Sequence, residues 1–165
     1  SPQTSPTFAL VTYTLGDTLS EHGGVSRGVC QVDGGGYLAG IREVLEIVPT
    51  EESLSGKTVS GQGVTLSGSE PISTNFWLLD PRVFPFLETG LKDFLRTQVE
   101  LPSAPPEFLI PTVMNEAVGE GRMRVQGIPT MGRFLGITHP ADRKRVVEAL
   151  KAMTEAGDYP RPLWG

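Results

Sequence analysis

The sequence predicts an α/β protein, a mixed sheet with flanking helices and a β-hairpin. Three observations carry that reading. Phe8 to Leu15 (FALVTYTL) is apolar or threonine at every position, the pattern of an interior strand covered on both faces. Two strand-like runs, Val25 to Asp33 and Tyr37 to Ile47, are joined by Gly34-Gly35-Gly36 after Asp33, a hairpin signal. Further along, stretches of helical spacing alternate with strand-like ones, which implies layers of helix on sheet.

Size and composition bound the rest. A chain of 165 residues, 38% hydrophobic, can bury one sizeable core. Its 20 glycines and 14 prolines are numerous but short of a disordered composition. The formal charge of −5 argues against nucleic acid or an anionic membrane as partner, because phosphates and headgroups would be repelled. No apolar stretch is long enough to span a bilayer, and the Ser/Thr/Pro-rich start is not a signal peptide. Cys30 is the single cysteine, so neither an internal disulfide nor a thiolate zinc site can form. A cytoplasmic protein is the expectation.

Taken in order, residues 1–7 read as a linker before the first strand. The triple glycine after Asp33 is a turn rather than a phosphate cradle, since a strand follows it and not a helix. Residues 49–70 are rich in Gly, Ser and Thr and read as an exposed, mobile loop, with a short hairpin around Lys57 to Leu66. Ile72 to Leu79 returns as a buried strand, and Asp80-Pro81 then caps a helix to about Thr97. Its apolar face is Val83, Phe84, Leu87, Leu91, Phe94 and Leu95. A second helix starts near Pro111, buries Val113, Met114, Ala117 and Val118, and stops at Gly121. Met123 to Ile128 and Phe134 to Thr138 read as strands. His139-Pro140 opens a third helix with Val146, Val147, Leu150 and Met153 inward and Gly157 at its end, and the tail Tyr159 to Trp164 docks its aromatic groups.

The chemistry-bearing residues are sparse. His22 and His139 have no ligand spacing to one another or to Cys30, and no G-x-S-x-G elbow occurs. Cys30 reads as a buried structural thiol. Glu43 in the second hairpin strand is a surface carboxylate on the simplest reading. Asn75 is more informative, because an amide inside a strand needs partners.

Read together, VSRGVCQVDGGGYLAGIREVLEI, ISTNFWLLDPRVFPFLETGL and EFLIPTVMNEAVGEGRMRVQGIPTMGRFLGITHPADRKRVVEAL resemble, in order and spacing, the C-terminal half of a sugar-1-phosphate nucleotidyltransferase. The resemblance implies a Rossmann-like nucleotide-diphospho-sugar transferase fold, with residues 8–165 as its sugar-binding half. It implies a sugar-phosphate pocket lined by the strand of Gly28, Val29 and Asp33, by Glu43, and by Asn75 and Trp77. The reaction implied is attack of a sugar-1-phosphate on a nucleoside triphosphate, with pyrophosphate released and Mg2+ as cofactor. Since the family's glycine-rich nucleotide loop and first magnesium aspartate have no counterpart here, the chain is expected to be an inactive fragment of such an enzyme. Its expected partner is the N-terminal half of the same protein, or a second copy of itself.

Two positions depart from the family pattern. Val44 and Leu45 follow Glu43 where lysine and proline are usual, and Gly136 stands where a metal-binding aspartate falls. Asp142 could substitute as a ligand, although the first turn of a helix favours an aspartate anyway. The departures motivate an alternative: a catalytically inactive relative that serves as a regulatory or ligand-binding module. An unrelated α/β interaction domain is the third reading.

Overall fold

The computed structural model describes residues 7–97, 107–137 and 140–162. The chain forms an α/β fold around one seven-stranded mixed sheet, in the order β5-β4-β3-β2-β6-β1-β7. The strands are β1 (Thr7–Thr14), β2 (Val25–Val32), β3 (Leu38–Pro49), β4 (Leu54–Thr58), β5 (Gly63–Leu66), β6 (Pro71–Leu78) and β7 (Arg124–Pro129). The helices are α1 (Phe84–Thr97), α2 (Ile110–Gly119) and α3 (Asp142–Ala156). All strand pairs are antiparallel except β1 with β7.

β1 is interior because it pairs on both edges, with β6 and β7. Coverage of its two faces is unequal, contrary to the uniform apolar run. Phe8, Leu10 and Thr12 are buried, whereas Val11 and Tyr13 on the other face are half-buried. The sheet accordingly carries two cores. Phe8, Leu10, Cys30 and Val125 pack against Val83, Met114 and Ala117 from the helical side. Val29, Val44, Ile47 and Ile72 join Leu15, Leu54 and Leu66 in the second core. Strand alternation sends Gly28 and Cys30 to one face and Val29 to the other. Each buried aliphatic side chain contributes about 1.5–3 kcal/mol through removal from water.

The hairpin turns as its sequence requires. Asp33 Oδ1 accepts from the backbone N–H groups of Gly35 and Tyr37, at 2.8 and 2.9 Å, and these bonds hold its carboxyl below the usual range. Gly36 takes a φ of +80° that a side chain would oppose. The Asp80 cap also forms, with its carboxylate accepting from Arg82 N at 2.8 Å ahead of a short 3-10 turn into α1. Gly121 and Gly157 close α2 and α3 with positive φ.

Other segments differ from the sequence expectations. In the 49–70 stretch the hairpin expected around Lys57 to Leu66 forms as β4 and β5, but instead of an exposed loop it extends the sheet beyond β3, with Leu54 and Leu66 buried in the second core. Residues 133–137 have no regular structure, so the strand expected at Phe134 is absent there, and residue 138 lies outside the described set. α1 buries none of its residues fully, and Phe84, Leu91 and Leu95 are exposed. In α3, Val146 and Ala149 face inward while Val147 and Leu150 are exposed, one position round from the expected stripe. Tyr159 is part-exposed beside Leu150 and Thr154; His139 and Trp164 lie outside the described residues. No helix among the described residues is long and apolar enough to cross a membrane.

The β4–β5 extension is testable at Gly56. A Cβ there would lie 2.7 Å from Val44 Cγ1 and 3.2 Å from both Ile47 Cγ1 and Leu45 O. Gly56→Ala should therefore cost about 1–3 kcal/mol in urea denaturation, the usual penalty of overpacking. An unchanged midpoint would mean that this segment is not packed on β3.

Candidate functional site

The cleft begins as a row of directly opposed residues. Glu43 of β3 faces Gly28 of β2, Gly28 faces Ser73 of β6, and Ser73 faces Thr12 of β1. Directly paired residues project to the same face, so a carboxylate, a bare glycine and two hydroxyls cross four strands in line. Ser73 and Thr12 are buried. Gly28 forms the floor: a Cβ would lie 3.0 Å from Ile41 Cγ2 and 3.6 Å from both Glu43 Oε2 and Ser73 Cβ. Any side chain there would crowd Ile41 and fill the space between carboxylate and hydroxyl.

The strands then part. β2 and β6 pair at Gly28↔Ser73 and Val29↔Ile72, and the next residues on either strand line a cavity of about 320 Å³. Ser26 and Arg27 stand on one side of it and Thr74 and Asn75 on the other, with Phe134 and Pro111 as further walls. A second lobe of about 550 Å³ shares Ile41, Glu43, Asn75 and Pro111 and reaches Asn115 of α2. The Asn115 carboxamide accepts from Ile41 N at 2.7 Å, which fixes α2 to β3 beside the carboxylate.

Asn75 has a φ of +62° inside β6, one of two non-glycine residues in the left-handed region among the described residues. There the β1–β6 register shifts, so that β6 bulges between Ser73 and Trp77. Bulges of this kind re-aim side chains, and asparagine tolerates the left-handed well better than most residues. The Asn75 N–H donates to Ser73 Oγ at 3.1 Å, and its Oδ1 accepts from Trp77 Nε1 at 3.4 Å. Its amide NH2 has no partner among the described residues.

The Glu43 carboxylate accepts no hydrogen bond among the described residues. Its side chain is exposed at the cleft rim, and partial removal from water pushes its carboxyl above the ordinary 4.5, which the Arg27 charge partly offsets. The Arg27 guanidinium is half-buried and held in place: Nε donates to Thr18 Oγ1 at 3.2 Å and Nη2 to Thr18 O at 2.6 Å. It also lies 5.4 Å from the Phe134 ring centroid, and Tyr13 meets that ring edge-on at 5.5 Å. Phe134 is thus fixed from two sides.

Of the residues singled out from the sequence, Gly28, Glu43 and Asn75 converge on this cleft. Trp77 lies outside its lining, packed against the first core, and reaches it only through Asn75. Asp33 serves the hairpin turn. Cys30 is buried, and burial raises its thiol to about 12, so no thiolate nucleophile exists at neutral pH. Arg27, Ser73, Thr74 and Phe134 were not singled out. Arg27, the one basic residue of β2 and next to Gly28, is the signal that was available.

The described residues do not fit magnesium. No group of three His, Cys, Asp or Glu side chains converges among them. A Cβ on Gly136 would lie 2.6 Å from the Phe134 ring, so a side chain there displaces that ring. Asp142 is buried at the start of α3, 3.9 Å from His22 Nε2 and outside the cleft lining. No step through magnesium is derived from this chain.

No protein-family model matches the chain, and no curated protein matches it.

Two outcomes follow from the site's geometry. Glycine occupies the left-handed region freely, so Asn75→Gly should hold stability within about 0.5 kcal/mol, while Asn75→Val should lose about 1–2 kcal/mol or more. Equal losses in urea melts would contradict the positive φ. Glu43 should destabilise the fold when ionised. Its folded pKa is raised, so the folded state holds more protons than the unfolded one from the ordinary 4.5 upward, and stability falls as pH rises through that window. Glu43→Gln should accordingly raise the melting temperature at pH 7, with the gain fading on acidification through the same window.

Proposed function

We propose that this cleft binds the hydroxyl groups of a sugar, and that the chain is the sugar-binding half of an enzyme that transfers a nucleotidyl group from a nucleoside triphosphate to a sugar-1-phosphate. The observation that carries the reading is the Glu43–Gly28–Ser73 row with Asn75 at its end. A sugar hydroxyl both donates and accepts, and here a carboxylate without a hydrogen-bond partner can accept while an amide NH2 can donate. Glycine between them lets a flat ring approach the sheet. The Phe134 ring adds an apolar wall, suited to the C–H face of a pyranose.

In this reading the chain's residues bind and orient. The reacting oxygen of the sugar phosphate attacks the α-phosphorus and pyrophosphate leaves, chemistry that depends on positioning and charge neutralisation rather than on a covalent nucleophile. Magnesium and the triphosphate would be held by groups outside the described residues. The exposed apolar side chains of α1, Phe84, Leu91 and Leu95, offer a surface for the N-terminal half of the same protein or for a second copy.

One observation favours a second reading, an inactive nucleotidyltransferase-like module that binds a ligand without turning it over. It is the absence of a magnesium ligand set among the described residues, with Gly136 at the family's aspartate position. Both readings predict that the 165-residue chain, given sugar-1-phosphate, nucleoside triphosphate and magnesium, releases no pyrophosphate. Activity that copurifies with the chain would overturn that expectation.

Sugar binding itself is tested by calorimetric titration with a panel of aldoses and their 1-phosphates. Replacing Glu43 by Gln should weaken the best ligand by about 1.5–3 kcal/mol, the range for hydrogen bonds to a charged group, in a protein that melts no lower than the parent. Undiminished affinity in Glu43→Gln would return Glu43 to a surface strand carboxylate.

A further inference from the structure

Arg27 is the one basic residue among the cleft's described lining, and it faces the Glu43 carboxylate without an ion pair. Three of its five N–H groups are engaged, two with Thr18 and one, on Nη1, with Ser26 O at 2.8 Å. Val44, next to Glu43, is fully buried in the second core. Arg27 and Glu43 together carry no net charge, so a phosphorylated ligand seated on Glu43 and Asn75 needs most of its own charge met by further cations.

Phe134 also lines a second cavity, of about 370 Å³, with Arg133, Arg145, Asp17, Met131 and Gly132. Arg145, near the start of α3, is half-buried, and Arg133 is exposed. Neither has a carboxylate within ion-pair distance among the described residues, in contrast with Arg82, Arg96 and Arg122, which pair with Asp80, Asp93 and Glu120. A part-buried guanidinium without a counter-ion sits in a protein at a cost unless an anion completes it. Two forks against the single Asp17 carboxylate make this cavity locally positive on a chain whose net charge is −5. Arginine forks also match phosphate oxygens in geometry.

We infer that the Arg133–Arg145 cavity holds the phosphate of the ligand whose sugar lies in the cleft, with Phe134 lining both. This rests on the sugar-binding reading, and the test separates the two claims. The full chain is titrated by calorimetry with inorganic phosphate, with aldose 1-phosphates and with the free aldoses. Inorganic phosphate should bind saturably and weaken with added salt. The double variant Arg133→Ala, Arg145→Gln should lose about tenfold or more of that affinity and of the 1-phosphate affinity, while free aldose binding is unchanged. Asp17→Asn, which removes the opposing charge, should tighten phosphate. Arginine-independent phosphate binding, or none at all, overturns the phosphate pocket. Arginine-dependent phosphate binding without any aldose binding overturns the shared ligand and the sugar reading, and supports the pocket as an anion site alone.

Discussion

β2 and β6 run side by side for only two paired positions before each is turned aside, and the rest of the site depends on that short pairing. On β6 the departure is the bulge that carries Asn75 with its positive φ. On β2 it is a register shift against β3 between Val25 and Arg27. An unbroken ladder would have closed the sheet with backbone hydrogen bonds and left Glu43 on an ordinary surface. The gap instead leaves backbone and side-chain polar groups around a hollow, the condition under which a polar ligand can add more than it displaces.

Electrostatics works against folding at the same place. Glu43, exposed at the cleft rim, is still partly removed from water, and Arg27 offsets this without an ion pair while Thr18 and Ser26 hold three of its N–H groups. Such an arrangement is poor for stability and useful for binding, since a ligand that donates to Glu43 recovers part of what burial cost. The left-handed Asn75 belongs with it: local strain is tolerated where the surrounding pairs, Leu10↔Trp77 and Thr12↔Ser73, fix the backbone on both sides. The two cores divide the labour. One anchors α2 on the face that carries Gly28 and Cys30, and the other holds the β3–β4–β5 wing from which Glu43 projects.

How far the sequence discloses this depends on whether the signal is local. The hairpin is legible because Asp33 and the glycines make their own turn, and α1's start is legible because Asp80 caps it within two residues. For β4 and β5 the hairpin around Lys57 to Leu66 is legible but its place in the sheet is not, because Leu54, Leu66 and Val64 are the few apolar residues that tie it to the core. The apolar stripes of α1 and α3 show that each helix has a face, but not whether anything covers it, and much of α1's stripe is exposed. In the site, Gly28 and Glu43 are legible as opposed hairpin positions, and Asn75 as an amide in a strand. Phe134 is not, because its contact with Arg27 joins segments far apart in the chain through tertiary packing alone.

The central claim is that the parting of β2 from β6 makes a ligand cleft. It is tested most directly by amide chemical-shift mapping of the isotope-labelled chain during titration with a panel of aldose 1-phosphates. The cleft account predicts saturable shifts centred on residues 26–28, 41–43, 73–75, 112–115 and 132–134, with α1 silent. Shifts centred on α1, or no saturable change with any member of the panel, would contradict it.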